Sequence, residues 1–220
     1  MTNSQLQELI RAIDQADSPV RLIGAVRALA AARLEAAIPT LIQVLGYNNP
    51  GAAVTAVDGL VKLGEGAVQP LLEQIDGYNY GARAYAIRAL AAIADPRALD
   101  VLLEAAATDF APSVRRAATK GVGFLRWGQF PDGQLVSAQA RALATLLQVS
   151  QDADWAIRYA AVVGLQALAA NSADPAIVTA VGDRLQAMVQ ADPDGAVRAR
   201  VFVAQTQLNP ATTSLAGIGC

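Results

Sequence analysis

Residues 76–93 read DGYNYGARAYAIRALAAI. A polar turn opens the stretch, Tyr78, Tyr80 and Tyr85 follow with Arg83 among them, and small helix-forming residues complete it. From Arg83 onward the segment is one copy of a unit that recurs along the chain. Its YAIRAL at 85–90 has counterparts in GAVRAL at 24–29, TAVDGL at 55–60, AATKGV at 117–122 and AAVVGL at 160–165. The closing residues Leu29, Leu60, Leu90, Val122 and Leu165 step by 31, 30, 32 and 43. The long step contains WGQFPDGQL, which reads as a loop insertion, and GAVRARVFVAQTQL at 195–208 is a sixth, degraded copy. A fixed period of this size marks a repeat array.

A second signature runs between these: AAIPTLIQVL at 36–45, GAVQPLLEQI at 66–75 and RALDVLLEAA at 97–106. Its anchors Ile38, Val68 and Leu99 step by 30 and 31. Apolar residues recur at three and four positions in both signatures, so each is an amphipathic helix. The unit is helix, turn, helix. The spacing predicts six pairs: 4–15 with 18–31, 36–46 with 50–63, 66–76 with 80–93, 96–107 with 111–126, 135–149 with 153–169, and 175–190 with 194–207. Ser18-Pro19, Asn49-Pro50, Asp95-Pro96, Asp174-Pro175 and Asp192-Pro193 set a capping residue before a proline near helix starts. Nothing alternates with period two, so no sheet is expected. The predicted class is all-α: one right-handed α-solenoid over residues 1–208, with the second helices forming its inner wall. Residues 209–220 are read as a flexible tail.

Several second helices open with an acid and carry an arginine a few residues on, as in Asp109 to Arg115, Asp154 to Arg158 and Asp194 to Arg198, and Arg83 shares the register. With the 30-residue period this resembles HEAT-like repeats. That resemblance implies a ladder of Asp and Arg between neighbouring repeats, hence a structural role for Arg115, Arg158 and Arg198. A helix pair cannot bury its apolar face alone, and stacking supplies the core.

Composition narrows the chemistry. The 220 residues are 54% hydrophobic with a net charge of −2, enough to fill a core. No long basic run points to nucleic acid. No run of 18 apolar residues is free of charge, so no transmembrane span is expected. MTNSQLQELIRAID at the start has no apolar signal core, so no export signal is expected. There is no histidine, which removes Ser-His and Cys-His nucleophiles and most zinc chemistry. The single cysteine, Cys220, has no intramolecular disulfide partner, which fits a reducing, cytoplasmic setting. No phosphate loop, metal cluster or nucleophile elbow is present, and no metal or cofactor is expected. Of 17 basic residues only Lys62 and Lys120 are lysine. Base composition explains that bias, and so does arginine's planar fork for carboxylates.

Aromatic residues make up 5% of the chain, and they cluster. Tyr78, Tyr80 and Tyr85 open the third second-helix, Phe110 opens the fourth, Phe124 and Trp127 close it, and Trp155 and Tyr159 open the fifth. Equivalent helix starts in adjacent units line one rim. Such rings either fill gaps between helix pairs or make a flat groove with Arg83 and Arg158 at its edge. A groove of that kind takes a long conjugated ligand bearing carboxylates. Asp76, Asp109, Asp152 and Asp154 lie near the rim, and each taken singly reads as a helix cap.

Longer strings carry a closer resemblance: VLGYNNPGAAVTAVDGLVKLGEGAVQPLLE (44–73), DGYNYGARAYAIRALAAIADPRALDVLLEAA (76–106), TDFAPSVRRAATKGVGFLRW (108–127) and DADWAIRYAAVVGLQAL (152–168). Over residues 5–208 the chain resembles the smaller, F-type subunits of the cyanobacterial phycocyanobilin lyases that act on the phycocyanin alpha chain. The resemblance implies a heterodimer with an E-type subunit. It implies attachment of phycocyanobilin, an open-chain tetrapyrrole, through a thioether to a cysteine of the phycocyanin alpha subunit. The bilin is then substrate rather than cofactor, and the thiol belongs to the acceptor protein. Related lyases that also isomerise the bilin look to use a His/Cys-rich motif. The lack of histidine therefore implies attachment without isomerisation. The implied site has Arg83 and Arg158 at the propionates, Tyr78, Tyr80, Trp127, Trp155 and Tyr159 against the ring faces, and Asp76 or Asp109 as catalytic carboxylates at the ring nitrogens. Val201, Phe202 and Val203 in the last helix read either as an apolar face for the partner or as part of a half-buried cap of the array. Two other readings fit the same residues: a phycobilisome turnover factor that helps detach bilins, and a non-catalytic scaffold.

Overall fold

Three helix starts combine a proline with a side-chain cap. Ser18, Asn49 and Asp174 accept backbone N–H bonds from Arg21, Ala52 and Ala176, each ahead of a proline in the first turn. That pairing satisfies an otherwise orphaned donor and pre-sets the first helical φ. The computed structural model describes residues 3–75 and 80–208, the side chain of Tyr80 excepted. Asp76, Tyr78 and residues 209–220, with Cys220, lie outside the described residues.

The fold is all-α, with no strand among the described residues. The chain divides into two compact units, Met1–Ala98 and Leu99–Cys220. The first holds α1 (Asn3–Asp14), α2 (Pro19–Ala31), α3 (Ile38–Leu45), α4 (Pro50–Leu63), α5 (Val68–Glu73) and α6 (Tyr80–Ile93). The second holds α7 (Leu99–Thr108), α8 (Pro112–Gly123), α9 (Leu135–Val149), α10 (Trp155–Ala170), α11 (Pro175–Ala191) and α12 (Gly195–Leu208). Each unit is thus three helix pairs.

Within each unit the pairs stack in two layers. In the first, the second helices α2, α4 and α6 lie side by side; in the second, α8, α10 and α12 do, backed by α7, α9 and α11. The closing residues Leu29, Leu60, Leu90, Val122 and Leu165 are all fully buried, as the period requires of core positions. Each such aliphatic side chain contributes about 1.5–3 kcal/mol by leaving water.

Small residues let the second helices of the second unit approach closely. A Cβ placed on Gly123 of α8 would lie 2.2 Å from the Gly164 carbonyl oxygen of α10. A Cβ on Gly164 would in turn lie 2.8 Å from the Thr119 carbonyl oxygen. Backbone meets backbone here, and only glycine fits.

Two helix ends fall short of the sequence reading, and α5, expected to run to residue 76, ends at Glu73. The helix expected to run to residue 126 stops at Gly123, and Trp127–Gln129 forms a short 3-10 turn. The Trp127 ring is 3% exposed and stacks on Phe130, with centroids 5.1 Å apart and planes 15° apart. Its Nε1 donates to the Gly123 carbonyl at 3.2 Å. This ring anchors the inserted loop.

Candidate functional site

The second-helix layer of the second unit carries an open groove of about 450 Å³. Three helices line it. Trp155, Ala156, Tyr159 and Ala160 come from α10, Arg116, Ala117 and Lys120 from α8, and Ala196 from α12. Trp155 and Tyr159 stand one turn apart and remain 49% and 37% exposed. Arg116 and Lys120, also one turn apart, are exposed on the neighbouring helix. Among the described residues no acid lines the groove. Its floor is alanine, so the two rings and the two cations project from a flat surface. Arg200 of α12 lies close enough to feel the Tyr159 phenol. Burial pushes its guanidinium below the ordinary value, and the phenol acts in the opposite direction.

The arginines of the repeat register do something else. Arg158 is 9% exposed, and its Nε and Nη2 donate to the two carboxylate oxygens of Asp192, at 2.8 and 2.9 Å. Its Nη1 donates to the carbonyls of Asp152 and Ala153. The Asp192 hydrogen bonds hold the Arg158 pKa above its ordinary value, and the same bonds depress that of Asp192. Arg115 makes the equivalent ion pair with Asp152. Asp152 and Asp192 also accept the N–H of Asp154 and Asp194, so one carboxylate shapes a helix entry and receives the arginine of the preceding pair.

Of the residues singled out from sequence, the structure gathers Trp155 and Tyr159 in one groove. Arg158 belongs to the ladder, and its fork is committed to Asp192. Trp127 packs with both its faces away from solvent. Asp109 is buried and accepts the Ala111 N–H at 2.9 Å, the same turn that Asp152 and Asp192 make. Arg83 is half-buried on α6 in the first unit. Asp76 and Tyr78, and the Tyr80 side chain, lie outside the described residues.

Known proteins place this architecture. The family model described as HEAT repeats matches residues 68–132. The chain is 59% identical over 209 residues to the phycocyanobilin lyase subunit beta of Nostoc sp. (strain PCC 7120), covering 94% of this chain and all of that one. It belongs to the phycocyanobilin lyase beta-subunit family. A second member, the phycocyanin alpha phycocyanobilin lyase CpcF of Synechocystis sp. (strain PCC 6803), is 49% identical over 94% of this chain and 95% of its own. Among solved structures, the complex of CpcE and CpcF of phycocyanin lyase from Nostoc sp. PCC7120 contains a chain 60% identical to this one. The match has a TM-score of 0.73 and covers 77% of this chain and 98% of that chain. Among the described residues of this lyase-family chain no helix is long and apolar enough to cross a membrane.

Sequence reasoning missed Arg116 and Lys120. The signal was present: the position six residues before each closing residue reads Ile23, Val54, Ala84, Arg116 and Tyr159. Its change from aliphatic to charged to aromatic, with Arg116 and Tyr159 exposed, marks where the groove lies.

Proposed function

We propose that this chain is the smaller subunit of a heterodimeric lyase that joins phycocyanobilin to a cysteine of the phycocyanin alpha subunit through a thioether. The observation that carries this is the groove: two exposed rings beside two cations, in a chain that is 59% identical to a lyase beta subunit. Aromatic rings standing on a flat floor hold an extended conjugated ligand by stacking. Free bilin curls, and fixing it in an extended shape removes much of the entropy barrier to reaction.

The reaction is an addition. The acceptor thiol's sulfur bonds to the exocyclic carbon of the ethylidene on the first ring. The proton ends on the ring carbon that had shared the double bond, and no group leaves. A carboxylate near the pyrrole nitrogens favours their protonated, electrophilic form. Asp76 or Asp109 is this chain's proposed residue for that role, Asp109 also accepting the Ala111 N–H. With no histidine in the chain, attachment proceeds without isomerisation. The E-type subunit is the proposed partner, covering the exposed Phe202 and Val203 of α12, and the reaction belongs in the cytosol where phycobilisomes assemble.

The test is a four-component ligation with this chain, an E-type subunit, phycocyanobilin and the phycocyanin alpha apoprotein, read by zinc fluorescence on a denaturing gel. A fluorescent alpha band that requires both subunits supports the reading. No band, with bilin lost from finished phycocyanin, replaces it with chromophore removal.

A further inference from the structure

We propose that Arg116 and Lys120 are the carboxylate-binding residues of the groove, pairing with the two propionates of an open-chain tetrapyrrole whose rings lie on Trp155 and Tyr159. The inference rests on the bilin-lyase reading above and goes further by assigning the anionic end of the ligand to two residues.

These cations differ from their neighbours. Arg115, adjacent in sequence, and Arg158, on the next second-helix, are each tied to an aspartate of the following pair. Arg116 and Lys120 have no ion-pair partner among the described residues, and both are exposed. A positive pair beside aromatic rings, with no acid in the lining among the described residues, attracts a ligand that is both flat and anionic.

Spacing agrees with chemistry. Residues four apart on a helix are separated by about 6 Å along its axis. The two propionates of a linear tetrapyrrole sit on its two inner rings, which are neighbours along the chromophore, so one helical turn spans them. The close approach at Gly123 and Gly164 brings α8 and α10 together, so cations from one helix and rings from the other face the same ligand. Arginine grips a carboxylate with a fixed two-bond fork, whereas lysine acts as a point charge. The two propionate positions are therefore unequal, and the bilin takes one register along the groove. That register decides which end of the tetrapyrrole is presented to the acceptor thiol.

The test compares phycocyanobilin with its dimethyl ester, titrated by absorbance into the purified heterodimer. The variants are R116Q, K120Q and the double variant, with W155A as a stacking control. The wild-type complex is expected to bind the free acid about 100-fold more tightly than the ester, about tenfold for each charge-assisted contact. The double variant is expected to bind both forms alike, at the affinity the wild type shows for the ester, and W155A to weaken both forms. A double variant that keeps the wild-type preference, or that loses acid and ester equally, overturns the clamp while leaving bilin binding in place. A wild-type complex that binds neither form overturns the lyase reading and the clamp with it.

Discussion

Arg158 holds Asp192 through two parallel hydrogen bonds, Nε to Oδ2 at 2.8 Å and Nη2 to Oδ1 at 2.9 Å, and thereby ties the start of α10 to the turn before α12. Both side chains are buried. Removing one partner strands a charge away from water. D192A is expected to lower stability by about 3–5 kcal/mol in urea denaturation. R158K keeps the charge but loses the fork. It should lower the melting temperature while leaving bilin affinity per folded heterodimer unchanged, and a loss of affinity would return Arg158 to the binding site.

The same pair sets an acid limit. Hydrogen bonding from Arg158 holds the folded-state pKa of Asp192 below its ordinary 3.8. Between those two values the unfolded chain binds the extra proton, so stability falls as pH falls. The contribution of Asp192 is complete at neutral pH and lost as pH drops below about 4 toward the folded value. Urea midpoints measured from pH 6 down to pH 3 should show a drop in that window that D192N lacks.

Gly123 packs against the Gly164 backbone with no room for a methyl group. G123A is expected to destabilise by at least about 1–3 kcal/mol, because neither backbone can yield as a side chain does. G24A, at a position where a Cβ meets nothing within 4 Å, is the matched control and should be neutral or slightly stabilising. Thermal melts of the two variants decide this.

The two tryptophans should respond oppositely. W155A removes a half-exposed ring from the groove and should weaken bilin binding about tenfold or more with little change in melting temperature. W127A empties a buried site and should cost about 3–5 kcal/mol of stability while sparing the affinity of the protein that still folds.

The helix pairs were legible because an apolar period runs through them and several of their starts are capped or marked by proline. Pro50–Leu63 and Leu135–Val149 fall on their expected boundaries. The end of α8 was not legible. Gly121 and Gly123 weaken the helix, and Trp127 finds more burial by turning in under the inserted loop than by extending the helix. The groove was half legible. Its rings stood out because aromatics are scarce, but Arg116 sits beside a ladder arginine and looks like it in sequence. Only the direction in which each side chain leaves α8 separates the two. Arg158 read both ways, as a ladder residue from the repeat register and as a rim residue from its place at a helix start, and its partner 34 residues further along the chain is the ladder aspartate.

That separation has a consequence for synthesis. Arg115 is answered by an aspartate 37 residues later and Arg158 by one 34 residues later. A ribosome therefore releases α8 and α10 each with its arginine still uncompensated, and each ion pair is completed only when the next helix pair has emerged. The order of translation becomes the order of closure, from α8 toward α12.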